Sequence, residues 1–403
     1  MVCQPALGLP LAQKVVVLSG AQGWSFPGSS ADIFFSRNGG SCTIKQLPVA
    51  CSSLLSITRA STKYVTWTDG HLSQVASGVI AVSDNGAEIE QSSTNQALCA
   101  RDMTTATCAT AWVAVNITPA KTATGADNVA NSASLLTAGA ANGTILQTFT
   151  IGSTTETYSV LLERVTGTGN IQITENNGST WTTADSSICK NGAGVASNLL
   201  TTAYVRCSVE ATLANPVIGI RIVTNGDAVN ADFNQDEELA FATSPIATTS
   251  ATVTRAADVI TASGALLTAI LAAKAMRFVT NNVVGTIGPR LISDSAGNNG
   301  IQYNSSTQAE ITNGVATNSA TFGSGTRSGL VKVAVGLAAS GTTIIVNSGT
   351  KATDATAWAG LGSSAYLGNY SGGDRALNGY FLRLTVGPTK GQFDAMTTGS
   401  NPQ

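Results

Sequence analysis

Residues 142 to 163 read NGTILQTFTIGSTTETYSVLLE. The opening Asn142-Gly143 pair supplies the positive-φ residues that tight hairpins require. After it come two short runs, Thr144 to Ile151 and Glu156 to Glu163, rich in Val, Ile, Thr and Tyr, with Gly152-Ser153 breaking the chain between them. Short β-branched and aromatic runs separated by turn residues predict antiparallel strands. The same composition recurs at Ala203 to Glu210, Val217 to Val223, Gly329 to Val335 and Thr342 to Val346, punctuated by Asn177-Gly178, Asn225-Gly226 and Asn313-Gly314. Only Leu266 to Ala275, where Ala and Leu dominate, reads as a helix. The expected fold class is therefore all-β, built of consecutive antiparallel β-sandwich domains.

The bulk composition narrows the function classes. At 403 residues the chain exceeds what one core usually organises, so two or three domains are expected. Charged residues are 11% and aromatics 5%, which implies a neutral, hydroxyl-rich surface. No apolar run approaches the ~20 residues of a spanning helix, so no membrane partner is expected. The first ten residues lack a basic residue ahead of an apolar stretch, unlike a secretory signal. A net charge of −2 with scattered basic residues removes the electrostatic term on which nucleic-acid binding depends.

Seven cysteines occur, with no C-x-x-C pair of the kind zinc and redox sites use. Three close couples, Cys42 with Cys51, Cys99 with Cys108 and Cys189 with Cys207, bracket loops that disulfides can close, leaving Cys3 alone. The alternative is that all remain reduced, as small buried apolar residues of a chain made in the cytosol.

Two similar marks, Thr58-Arg59-Ala60-Ser61 and Thr254-Arg255-Ala256-Ala257-Asp258, divide the chain. The division predicts an N-terminal docking or attachment region (1–56), a linker segment (57–108), a jelly-roll module (109–250), a last sandwich (255–390) and a polar tail (391–403).

The ordered set Ile57-Thr58-Arg59-Ala60-Ser61, Asp69-Gly70 and Glu88-Ile89-Glu90-Gln91-Ser92-Ser93-Thr94-Asn95 resembles the linker segment of bacteriophage virion proteins, among them tail, head-fibre and capsid-associated proteins. In that family the linker leads into a jelly roll that looks like a carbohydrate-binding module, whose early tryptophan Trp112 matches. The jelly roll closes with an acidic patch and an Ala-Thr-Ser-x-Ile and Thr-Arg-Ala-Ala-Asp sequence, here Glu237-Glu238, Ala242 to Ile246 and Thr254 to Asp258. Further on, Ile344 to Asn347, Tyr366 to Asn369 and Leu377 to Leu384 are similar to the last strands of laminin-G-like or concanavalin-type lectin sandwiches. The sequence departs from the family pattern at Gln96 and in having Cys99 and Cys108.

The residues give little sign of catalysis. The single histidine, His71, adjoins the Asp69-Gly70 turn and reads as a surface residue. Gly323-Ser324-Gly325 lacks the spacing of a nucleophile elbow. The run Asp232, Asp236, Glu237 and Glu238 lacks a calcium-loop pattern and reads as solvated edge charge on opposite faces of the closing strand, so no metal and no cofactor are assigned. Glycan binding asks for aromatic platforms flanked by polar groups, and Trp358, Tyr366, Asn369, Tyr370, Asp374 and Arg375 have that composition. The alternative is core for Trp358 and Tyr366 and a plain solvent loop for Tyr370 to Arg375.

The resemblance implies a non-enzymatic structural component of a phage particle, a capsid decoration, head fibre or tail protein. Such a chain would form a homo-oligomer, contact other virion proteins and adhere to bacterial surface glycans. A receptor-binding tail protein that recognises surface polysaccharide is the alternative, and a polysaccharide depolymerase a third reading.

Overall fold

The computed structural model describes residues 29–387, apart from 37–38, 46, 105–111, 200–202, 286–287, 323–325 and 348. Cys3, Cys108, Gly323-Ser324-Gly325 and the tail 391–403 lie outside the described residues. The fold is nearly all antiparallel β, with two large sandwiches, and one described α-helix, Gly264–Leu271. No described helix is long and apolar enough to cross a membrane.

The jelly-roll sandwich packs two sheets. One runs in the order Ile117–Ala123, Ala133–Ala138, Ala228–Glu237, Thr154–Thr166, Val205–Leu213, Cys189–Lys190. The other runs Val113–Val115, Gly143–Thr148, Val217–Ile222, Ile171–Thr174, Thr182–Thr183. The predicted hairpin chemistry operates at Asn142 (φ 56°) and at Asn177-Gly178 (φ 58° and 70°). Inward residues of both sheets, among them Leu136, Ile145, Tyr158, Val160, Ile171, Ile173, Ile218 and Ile220, form one core with Trp112, whose indole donates to Leu98 O at 3.2 Å.

The second sandwich draws on both ends of the chain. Its larger sheet runs Leu47–Val49, Gly39–Ile44, Ala31–Ser36, Gly379–Gly387, Ala275–Asn281, Val331–Ala338, Gly341–Val346, Ala352–Asp354. Gly86–Ile89 also pairs with Gly379–Gly387. The facing sheet runs Val315–Thr321, Gln308–Asn313, Asn299–Tyr303, Arg290–Ser293, Tyr366–Leu367, Val259–Ala262, Leu55–Thr58. The boundary placed at residue 56 is thus not a structural one: Ala31–Ser36 pairs with Gly379–Gly387 in register Ala31↔Val386. Asp32 is buried there against Arg383, at 2.9 Å to its Nε. Residues 31–58 are built into the last sandwich: Ala31–Ser36 fills the edge of Gly379–Gly387 from Arg383 to Val386, beyond the part taken by Gly86–Ile89, and Leu55–Thr58 pairs with Val259–Ala262 in the facing sheet.

The helix also differs from its predicted span. It ends at Leu271, and Ala275 already opens a strand whose Met276 and Phe278 enter the core. Leu266 and Ile270, one turn apart, are its buried face.

The two Arg-containing marks meet in space. Leu55–Thr58 pairs with Val259–Ala262, Ser93–Asn95 pairs with Val253–Arg255, and Ser61 Oγ accepts Ala256 N at 2.9 Å. Between them lies a buried ionic joint. Arg59 Nη1 is 2.7 Å from Asp258 Oδ1, and Lys63 Nζ is 2.9 Å from Asp258 Oδ2 and 2.8 Å from Glu90 Oε2. Arg255 Nη2 is 3.5 Å from Glu90 Oε2. Asp258 and Lys63 are 0% and 1% exposed. Charges so removed from water persist only when paired.

Cys42–Cys51 and Cys189–Cys207 are disulfides, the latter between residues directly opposite in register, and Cys99 is disulfide-bonded too.

Candidate functional site

Three adjacent strands of the smaller sheet in the last sandwich turn residues into the core: Ile301 and Tyr303, and Ala309 and Ile311, in alternation, and the consecutive Leu291 and Ile292 where the register shifts. Register then places Arg290 opposite Gln302, and Gln302 opposite Glu310, in one row on the outer face. An outer row of this kind normally meets solvent. Here the turn at 294–298 and the loop at 370–375 stand over it, and Arg290, Gln302 and Glu310 are 2%, 7% and 4% exposed.

The roof is held by Asn369. Its Nδ2 donates to Asp258 O at 3.0 Å and Gly373 O at 3.2 Å, its Oδ1 accepts Tyr370 N at 2.9 Å, and its carbonyl accepts Ser293 Oγ at 2.8 Å. Tyr370 then lies against Gly297, where a Cβ would stand only 3.1 Å from the ring. Gly297 also adopts φ +70°, so a side chain there is disfavoured twice.

Beneath the roof is a pocket of about 280 Å³ lined by Arg290, Gln302, Glu310, Thr312, Tyr370, Asp374 and Arg375, with backbone from 296–298 and 314. Arg290 Nη1 donates to Thr312 Oγ1 at 3.2 Å and Nη2 to Gly297 O, whereas its Nε has no partner. Gln302 Nε2 donates to Glu310 Oε1, whereas Gln302 Oε1 accepts nothing. Burial, and after it the like charge of Arg375, push the Arg290 guanidinium down to about 10. The hydrogen bond with Asp374 holds the Tyr370 phenol above its ordinary value.

The structure therefore gathers Tyr370, Asp374 and Arg375 around one pocket and sets Asn369 below them as a fully buried anchor. Trp358 packs half-buried against the core, and Tyr366 sits on a strand opposite Thr261 and Ser293; neither lines the pocket. Sequence reasoning missed Arg290, Gln302 and Glu310. Their signal was a polar residue flanked by core residues in a strand, as in Ile301-Gln302-Tyr303.

Other candidates fall elsewhere. His71 stacks on Trp67 at 5.4 Å between ring centroids and contacts Asp69 at 2.5 Å, at an exposed turn. The acidic run is not solvated edge charge: Asp232, Asp236 and Glu237 are 0% exposed because Ala228–Glu237 pairs with Thr154–Thr166 on one side and beyond Ala231 is covered on the other by the segment 93–101, through Gln96 N to Asp236 O and Asn234 N to Ala100 O. Only Glu238 of the run faces water. Asp232 meets Arg101 at 2.8 Å, and Glu237 accepts Ser93 Oγ at 2.5 Å and Thr243 N at 2.9 Å. A larger cavity of about 390 Å³ opens between the two sandwiches, beside the ionic joint, with Glu88, Glu90, Arg206 and Tyr380 in its lining.

No family model matches this chain. No curated protein matches it either.

Proposed function

We propose that this chain is a non-enzymatic structural protein of a bacteriophage particle, a capsid decoration, head-fibre or tail component, whose last sandwich holds a bacterial surface glycan under Tyr370. One observation carries the glycan reading. A roofed pocket is lined by Arg290 and Gln302, each with one buried side-chain atom that has no partner, the donor Nε and the acceptor Oε1, and by Tyr370. Each such atom costs roughly 1–3 kcal/mol unless something pairs with it. A sugar hydroxyl both donates and accepts, and a sugar C–H face packs on a ring, so a saccharide answers all three features. A volume near 280 Å³ sits just below the ~300–1,000 Å³ of pockets for drug-sized ligands, which suits one terminal sugar unit.

The particle reading draws its support from the ordered motifs and from what they build. Thr58 to Ser61 and Thr254 to Asp258, separated by a whole jelly roll, close on each other through Arg59 and Asp258. A joint of this kind holds the two sandwiches in one fixed relation, as a component of a symmetric particle needs.

The test has two arms. Electron cryomicroscopy of purified particles is expected to locate the chain on the capsid or tail; its absence from particles would overturn the structural reading. Tyr370→Ala is expected to abolish binding to host-envelope glycans and cell adsorption while assembly proceeds; adsorption at the wild-type level would remove the glycan site. Glycan cleavage by the wild-type protein would instead establish a depolymerase.

A further inference from the structure

The jelly roll contains a second built site, remote from the glycan pocket and independent of it. Tyr158 is directly opposite Asp236 in register and lies in the core, so Asp236 and Glu156, two residues before Tyr158, share its inward face. On the facing sheet Ile171 and Ile173 point inward, and Glu175 continues their alternation. Three carboxylates from two sheets thus converge at the end of an apolar core. One oxygen from each lies within 4.8 Å of the others. The side chains are 0%, 3% and 0% exposed for Glu156, Glu175 and Asp236, and none of their six oxygens makes a well-formed hydrogen bond, the contacts within reach being Glu156 with Asp236 and Glu175 with the Tyr158 backbone.

We infer that Glu156, Glu175 and Asp236 form an inter-sheet site for a divalent cation, calcium by its ligand chemistry. A buried carboxylate survives by pairing with a cation, by accepting hydrogen bonds, by taking a proton or by binding metal. Among the described residues no basic side chain pairs with the cluster, and its contacts are Glu156 with Asp236 and Glu175 with the Tyr158 backbone. The charges beyond it are further carboxylates, Glu238 near Glu156, Glu210 near Glu175, and Glu237 and Glu238 near Asp236; a metal ion satisfies all three acids in their charged form. An all-oxygen, all-anionic donor set selects a hard cation. Calcium–oxygen bonds of 2.3–2.6 Å place two oxygens on one ion at most about 5 Å apart, which the observed spacing meets without rearrangement. The ligands bind the ion as carboxylates, so protons compete with calcium and binding should strengthen as pH rises. An ion here would tie the sheet carrying Thr154–Thr166 and Ala228–Glu237 to the sheet carrying Ile171–Thr174.

The experiment is a titration of chelator-treated full-length protein with calcium chloride at pH 7.5, and separately with magnesium chloride, by calorimetry and thermal unfolding. Saturable calcium binding at one site, with a Tm that climbs with calcium concentration and a weaker magnesium response, is the expected result. Both effects should vanish in Glu175→Gln and in Asp236→Asn, which shed a buried repulsive charge and should fold without metal. Absence of calcium binding up to millimolar concentration in the wild-type protein would overturn the inference, as would an undiminished calcium response in both variants. Should neither variant fold, the wild-type titration decides alone.

Discussion

Lys63 gives the sharpest test of the ionic joint. Its ammonium is fully buried, bonded to Asp258 and Glu90 at 2.9 and 2.8 Å, 3.6 Å from Glu88 Oε2, and it donates to Glu88 O at 3.0 Å. Arg59, Lys63 and Arg255 balance Glu88, Glu90 and Asp258. In Lys63→Met one of those three cations is gone. Asp258 keeps Arg59 at 2.7 Å, Glu90 keeps Arg255 at 3.5 Å, and Glu88 loses its ion-pair partner. Removing one partner of a buried ionic group costs about 3–5 kcal/mol, mostly through the charge left behind. Glu88 can shed part of that by taking a proton, because burial, only partly offset by Lys63, already lifts it to about 7. The expected loss at neutral pH is therefore about 3 kcal/mol, near the lower end of that range.

Denaturant unfolding of the wild-type and Lys63→Met proteins at pH 7 measures this, with Lys63→Met/Glu88→Gln as the control. The double variant removes one charge of each sign and should recover at least ~1 kcal/mol of the loss. The pH limbs carry the same signature. Burial pushes Lys63 down, but Asp258, Glu90 and Glu88 more than offset it, so its folded value lies above 10.5. Its contribution is complete below the unfolded value and is lost as pH rises through the folded one. Burial pushes Glu90 up, but Lys63 and Arg255 more than offset that, bringing it to about 2. Its contribution is complete above the unfolded value near 4.5 and disappears as pH falls towards 2. A Lys63→Met protein within 1 kcal/mol of wild type, with an unchanged acid limb, would refute the reasoning.

Other outcomes follow from the same geometry. Glu88, with its folded value raised to about 7, contributes stability that is complete below 4.5 and is lost as pH rises through 7, so Glu88→Gln should flatten the pH dependence of unfolding in that window. Breaking Cys189–Cys207, which spans 18 residues, should cost about 3 kcal/mol by loop-closure entropy, read as a lower denaturant midpoint for Cys189→Ser/Cys207→Ser. Asn369→Ala should weaken saccharide binding although Asn369 touches no ligand, because Asp258 O and Gly373 O lose their donor at a cost of roughly 1–3 kcal/mol and the roof over Arg290 loosens. Trp358→Ala should leave saccharide affinity unchanged, as its side chain lies outside the pocket.

The strands were legible where the local pattern and the fold agree. Thr342 to Val346 is observed as Gly341–Val346 and Glu156 to Glu163 lies within Thr154–Thr166, because alternation and Asn-Gly turns are properties of adjacent residues. The helix shows where tertiary packing overrides composition. Ala272, Ala273 and Ala275 favour a helix by propensity, yet the following Met276, Arg277 and Phe278 are claimed by strands on both sides, and the chain must straighten before reaching them. The placement of residues 31–58 was not legible for a different reason. Ala31 meets Val386, and a pairing across 355 positions leaves no trace in either segment alone.

The two proposed sites differ in legibility in the same way. Tyr370, Asp374 and Arg375 were visible because a ligand loop is contiguous, but the floor beneath them is a row across three strands that exists only once Arg290, Gln302 and Glu310 come into register. The acidic cluster is a stronger case. Alternation through Ile171 and Ile173 assigns Glu175 to the core, and alternation through Tyr158 does the same for Glu156. A lone carboxylate at an inward position is a contradiction when each strand is read separately. It resolves only when the facing sheet brings the third carboxylate to the same point, where one bound cation would answer all three. Inward polar residues that break an apolar alternation are therefore the places where this sequence departs from what packing alone asks, and the folded register is what makes them readable.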